Sequence, residues 1–201
     1  MRIGVDFDNT IACYDTVFRT LAREAGLLPE GFSGGKQAVR DAVRERAGDE
    51  AWRGLQAKAY GRRMNEAEPF HGVFAQLAAW RAGDAEVMIV SHKTRQSNFA
   101  PDGSDFRVAA RTWMAHHGLF DSVGLDGEDV HFLDSRSAKV RRIADLQCDV
   151  FIDDLEEIFL EPAFPGGARK ILFDPAGRGC DRPDIEACRS WRAVGEAIDG
   201  N

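Results

Sequence analysis

No stretch of this 201-residue chain approaches the ~18 apolar residues that a membrane helix needs. The opening residues "MRIGVDFDN" lack the uninterrupted apolar core of a signal peptide, so a cytoplasmic location is expected. Cysteine is scarce: Cys13, Cys148, Cys180 and Cys188 form no C-x-x-C pair, which argues against a zinc site and for reduced thiols. Positive charge is in deficit, with a formal net charge of −7. Such a chain has no general attraction for nucleic acid polymers or anionic membrane, and an anionic substrate would have to be drawn in by a local site. Neither a Walker-type glycine loop nor a G-x-G-x-x-G after the first apolar run occurs, so nucleotide binding of those kinds is not indicated. There is no internal repeat and no low-complexity tract.

What is present is alternation. Short apolar runs predict strands at "RIGVDF", "EVMIVS" (86–91), "DVHFLD" (129–134), "DVFIDD" (149–154) and "ARKILFDP" (168–175). Helical periods fall between them: 73–83, 105–118 capped by Ser104 or Asp105, 137–147 capped by Ser135 or Ser137, and a last helix from about Ser190. Five apolar strands alternating with helices predict an α/β fold, a doubly wound parallel five-stranded sheet. One region breaks the rhythm. Residues 14–70 carry helices at "DTVFRTLAREAG", "KQAVRDAVRERAG" and "EAWRGLQAKAYGRRM" and no strand pattern. They predict a small helical insertion, a lid, between core segments 1–13 and 71–201.

Polar residues sit where the apolar strands end. Asp6 and Asp8 close the first, Ser91 the second, Asp153 and Asp154 the fourth. Ligands of open parallel sheets bind beyond the carboxyl ends of the strands, so these residues converge if their strands are neighbours. Several carboxylates in one crevice need a compensating cation, and hard oxygen donors favour Mg²⁺.

"DFDNT" resembles the D-x-D-x-T signature of the haloacid dehalogenase superfamily, in its phosphatase branch. "VMIVS", "SAKV" and "VFIDD" resemble the second, third and fourth motifs of that superfamily, in the same order and over nearly the whole chain. Asn9 stands where many members have glycine. The resemblance implies a Rossmann-like core, with the insertion as a helical cap. It implies a Mg²⁺-dependent phosphomonoester hydrolase working through an aspartyl-phosphate on a small soluble phosphorylated metabolite, a sugar phosphate or a nucleotide. Asp6 would be the nucleophile. Asp8 would be the acid that protonates the leaving alkoxide and then the base that activates water. Ser91 would bind a phosphoryl oxygen, and Lys139, in preference to Arg141 or Arg142, would neutralise charge. Asp6, Asp8 (through its backbone carbonyl), Asp153 and Asp154 would hold the metal, and Thr10 would orient Asp6 and the turn. A phosphomutase and a phospho-aspartate regulatory module remain as alternatives on the same core.

The loop 92–105 is long for a strand-to-helix connection, and long loops in such positions often carry function. His92, Lys93 and Arg95 are its candidates for substrate contact, with Pro101 and Gly103 shaping its turn. In the insertion, Arg62, Arg63, Trp52 and Tyr60 are weaker candidates, the arginines reading first as a solvated face and the aromatics as core. His116 and His117 carry no chemical expectation.

Overall fold

The computed structural model describes residues 1–100 and 102–200, so Pro101 lies outside the described residues. Two compact units form. One comprises Met1–Ala12, Pro69–Lys93 and Met114–Asn201; the other comprises Cys13–Glu68 and Thr94–Trp113.

The first unit is built on a parallel sheet. Its strands are β1 (Arg2–Val5), β4 (Glu86–His92), β5 (Val130–Leu133), β6 (Val150–Asp153), β7 (Arg169–Phe173) and β8 (Ile185–Cys188). They lie in the order β5-β4-β1-β6-β7-β8. The sheet therefore has six strands, not the five expected. The missed strand, "IEAC", buries only its two end residues and sits at the sheet edge, and its charged and small residues merge in sequence with the helix that follows. That helix, α7 (Trp191–Asp199), begins where expected, with Ser190 accepting from the Ala193 amide. The other helices of this unit are α3 (Val73–Ala82), α5 (Arg136–Asp145) and the single turn α6 (Glu156–Phe159). Ser135 caps α5 by accepting from Ala138 N.

The central strands are buried on both faces because helices cover each side. On the α5 face, Met88, Val90, Phe151 and Leu172 pack with Val140, Ile143 and Ile158. Gly4 is needed there: a Cβ on it would come within 2.5 Å of the Phe151 ring. Burying a side chain such as Phe151 stabilises by about 1.5–3 kcal/mol.

The second unit is helical. It holds α1 (Asp15–Glu24) and α2 (Lys36–Tyr60), and α4 (Phe106–His116) begins in it. α2 is broken at Gly48, whose φ of 83° no interior helical residue adopts, so the two helices expected on either side of it are present. Phe18 stacks on Trp52 with ring centroids 4.7 Å apart, and Tyr60 meets Tyr14 edge-on at 5.0 Å. Trp52 and Tyr60 thus do packing work, and Arg63 pairs with Glu24 at 2.8 Å and with Glu66. Asp105 caps α4 through the Val108 amide. Two-residue strands β2 (Ala12–Cys13) and β3 (Glu68–Pro69) pair separately. Among the described residues, no helix is long and apolar enough to cross a membrane.

Candidate active site

The chain path makes β1 a switch point: it runs outward through β4 and β5, then returns to β6, β7 and β8 on the other side. A crevice is expected where the order reverses, beyond the ends of β1 and β6. The register places Asp6 there. Val5 pairs with Ile152, and Asp6 N donates to Ile152 O at 2.9 Å, so Asp6 stands beside Asp153 on the neighbouring strand.

Lys139 comes to this point from α5. Its Nζ donates to Asp6 Oδ1 at 2.5 Å and to Asp153 Oδ2 at 2.6 Å, and it lies 5.4 Å from the Phe151 ring centroid. The Lys139 side chain is 2% exposed and that of Asp153 0%. Asp154 joins them: one carboxylate oxygen from each of Asp6, Asp153 and Asp154 lies within 4.8 Å of the others. Asp153 also accepts from Leu155 N at 3.0 Å, which ties its carboxylate to the turn into α6.

Burial pulls Lys139 toward the neutral form, but the Asp153 and Asp6 charges outweigh it and hold its pKa above the ordinary lysine value. Burial raises Asp153 well above the usual carboxylate range, and the Asp6 and Asp154 charges add to this against the pull of Lys139. Both directions have one cause, an excess of carboxylate over ammonium in a dry place. Three carboxylates against one ammonium leave a deficit that one divalent cation would balance.

Asp8 lies apart from that cluster. Its carboxylate is held by Lys93, with Nζ at 2.9 Å from Oδ1 and also 2.9 Å from Oδ2. Between Asp8 and Ala12 the chain turns sharply, with Ile11 N and Ala12 N both donating to Phe7 O. Asn9 takes φ 63° in this turn, a left-handed conformation that asparagine and glycine accept at least cost. That accounts physically for asparagine standing where glycine is common. Thr10 is fully buried, and its hydroxyl has no hydrogen-bond partner; its carbonyl accepts from Trp191 Nε1 at 3.0 Å. The Asn9 amide nitrogen is likewise buried without a partner. Thr10 therefore anchors the turn through its backbone, and no side-chain bond from it to Asp6 forms.

Ser91 is buried on β4, paired in register with Phe132. His92 follows on the exposed side. Partial desolvation, reinforced by the Lys139 charge, holds its pKa below the ordinary histidine value. Arg95 belongs to the helical unit, where it reaches Asp105 at 3.4 Å.

Solved structures match this arrangement of strands over the whole chain. A haloacid dehalogenase-superfamily hydrolase of subfamily IA from Geobacter sulfurreducens aligns over 100% of this chain and 98% of its own, with a TM-score of 0.57 and 12% identity. This chain has the haloacid dehalogenase-type fold. A haloacid dehalogenase family hydrolase from Deinococcus radiodurans, solved with bound phosphate and sodium, aligns over 99% of this chain and 95% of its own at TM-score 0.53 and 13% identity. A phosphoserine phosphohydrolase-like protein from Francisella tularensis aligns over 98% and 99% at TM-score 0.51 and 12% identity. No protein-family profile and no curated protein sequence matches the chain.

Within the haloacid dehalogenase-type fold, Asp6, Lys139, Asp153 and Asp154 come together at the switch point, and Asp8 pairs beside it. Two features escape sequence reasoning. The Trp191 indole that fixes Thr10 is 181 residues away and leaves no local signal. The Lys93–Asp8 pair has one: Ser91 and Lys93 are two apart on an extended chain, hence on one face, and both are buried while His92 is exposed.

Proposed function

We propose that this chain is a Mg²⁺-dependent phosphomonoester hydrolase of the haloacid dehalogenase type, acting through an aspartyl-phosphate on a small soluble phosphate ester. The observation that carries the proposal is the Asp6–Asp153–Asp154 cluster around buried Lys139 at the switch point, with a further carboxylate, Asp8, two residues from Asp6.

The donor set fits a hard divalent cation: oxygen ligands only, with negative charge in excess of Lys139. Asp6, Asp153 and Asp154, with the Asp8 backbone carbonyl, would hold Mg²⁺, which supplies charge neutralisation for the phosphoryl oxygens. Asp6, held by Lys139, attacks phosphorus through a carboxylate oxygen. Asp8 enters this step carrying a proton, which it gives to the leaving oxygen as the ester P–O bond breaks, and Lys93 then faces the carboxylate so formed. Asp8, now a base, takes a proton from water; the water oxygen attacks phosphorus and releases Asp6 and inorganic phosphate. Lys139 stabilises charge on Asp6 and the phosphoryl group throughout. Ser91, at the end of β4, would supply a polar contact for a phosphoryl oxygen. Residues 14–70 occupy the place of a cap in chain order, and a cap restricts access to small esters. The net charge of −7 disfavours nucleic acid polymers.

The test is phosphate release from purified protein with Mg²⁺ across sugar phosphates, nucleotides and p-nitrophenyl phosphate. Turnover is expected on at least one class, abolished by EDTA and restored by Mg²⁺. No release on any of them, or undiminished release after EDTA, overturns the proposal.

A further inference from the structure

Two lysines serve this site, and only Lys139 belongs to the motif pattern. The other, Lys93, lies one residue beyond the end of β4. Its amide donates to Leu133 O at 2.9 Å, continuing the ladder to β5, so its backbone is fixed by the sheet. Its ammonium lies 5.6 Å from the Phe7 ring centroid and 2.9 Å from each Asp8 oxygen. The side chain of Lys93 is 2% exposed, whereas that of Asp8 is 16% exposed. The carboxylate has an open side and the ammonium has almost none. A small ester arriving at the site can meet Asp8, but it meets Lys93 only through Asp8.

That asymmetry separates two roles. A substrate-binding cation must present its ammonium to an anion, and Lys93 does not. A cation clamped across both oxygens of one carboxylate, with its own backbone held by a strand and its charge over a ring, fixes where that carboxylate points. We propose that Lys93 is the positioning residue for Asp8; the inference rests on the phosphohydrolase reading. Asp8 handles a proton twice, giving it to the leaving oxygen as the ester bond breaks and taking one from the attacking water. The same oxygens must therefore return to working distance in both half-reactions. Displacing a reacting group by ~1 Å can cost about 10²-fold in rate.

The experiment is a double-mutant cycle read with p-nitrophenyl phosphate and Mg²⁺, using wild type, Lys93→Met, Asp8→Asn and Asp8→Asn/Lys93→Met. Lys93→Met is expected to lower kcat by about 100-fold while KM changes by less than about threefold. On the Asp8→Asn background the same substitution is expected to change kcat by less than about twofold, because a residue acting through Asp8 has nothing left to act on. If circular dichroism shows Lys93→Met unfolded, Lys93→Arg, which keeps the charge and displaces it, replaces it in the cycle, with a loss of about tenfold that again vanishes beside Asp8→Asn. A raised KM with unchanged kcat would make Lys93 a substrate-binding group. An equal loss on both backgrounds would make it structural, and no loss would leave it idle; each of these overturns the proposal. Wild-type protein that releases no phosphate from any ester overturns the hydrolase reading, and the inference with it. Turnover by the wild type with an additive cycle overturns the inference alone.

Discussion

In the sheet unit, Lys139 and Asp153 sit 2.6 Å apart with side chains 2% and 0% exposed. In the helical unit, Arg44 and Asp49 sit 2.7 Å apart with both side chains 45% exposed. The distances are alike and the physics is not. Water screens the Arg44–Asp49 pair and competes for both partners, so an exposed pair of this kind contributes ~0–1 kcal/mol. The buried cluster has lost its hydration, and each charge depends on its neighbours. Removing one partner there leaves the rest uncompensated, at a cost of about 3–5 kcal/mol. In the exposed Arg44–Asp49 pair, water can compensate either charge if its partner is lost. The sheet unit concentrates Asp6, Asp153, Asp154 and Lys139 at one point, a costly arrangement that chemistry on a phosphoryl group would justify.

That contrast can be broken most severely at Asp6. Asp6→Asn keeps the volume but removes the oxygen proposed as nucleophile, and turnover of p-nitrophenyl phosphate is expected to fall at least ~10⁴-fold, as when other nucleophiles are deleted. Near-normal turnover would show that the buried cluster is structural, like the surface pairs but dry. On the proposed mechanism, Asp8→Asn should act differently, trapping phosphate on Asp6 because the second half-reaction would lack its base. Acid-quenched protein carrying radiolabelled phosphate would reveal it, and the rate loss should be about 10²–10⁴-fold.

The stability side of the comparison is sharpened by Lys139→Met. Urea denaturation in EDTA should show a loss of about 3–5 kcal/mol. Asp49→Ala should cost less than ~1 kcal/mol in the same assay, although Asp49 pairs with both Arg44 and Arg53. Similar losses for the two would mean that burial does not decide the value of a charge in this molecule.

Buried neutral groups of the sheet unit give a smaller, pH-dependent effect. Burial pushes the Cys148 and Cys188 thiols up to about 11. A folded pKa raised above the unfolded value of 9.0 contributes stability that is present below pH 9. That contribution is lost as pH rises through about 11, because the unfolded chain ionises its thiols first. Melting temperature should therefore decline between about pH 9 and 11. At pH 8, alkylation of these two thiols by iodoacetamide should run about 100-fold slower than in the urea-unfolded chain, since two units of pKa remove that fraction of thiolate. Equal rates in the folded and unfolded protein would refute the burial argument.

The apolar runs in "RIGV", "EVMIVS" and "VFID" place three strands that are covered on both faces and so largely apolar, and "VHFL" and "RKILF" place two more, the edge strand β5 and β7. β8 was not legible, since only its two end residues are buried and "IEAC" runs directly into the cap of α7. The acidic residues at the strand ends were legible for the opposite reason: Asp6, Asp8, Asp153 and Asp154 are polar where the local pattern is apolar. Their type and position, together with Lys139 on the helix before β6, were determined by the sequence alone. Which cation meets which carboxylate was decided only in three dimensions. Asp8 and Lys93 are 85 residues apart, and Asp6 and Lys139 are 133 apart. Local periodicity tells which way a side chain faces on its own strand or helix. Only the strand order β5-β4-β1-β6, which sets β4 on one side of β1 and β6 on the other, brings Lys93 to Asp8 and Asp153 to Asp6.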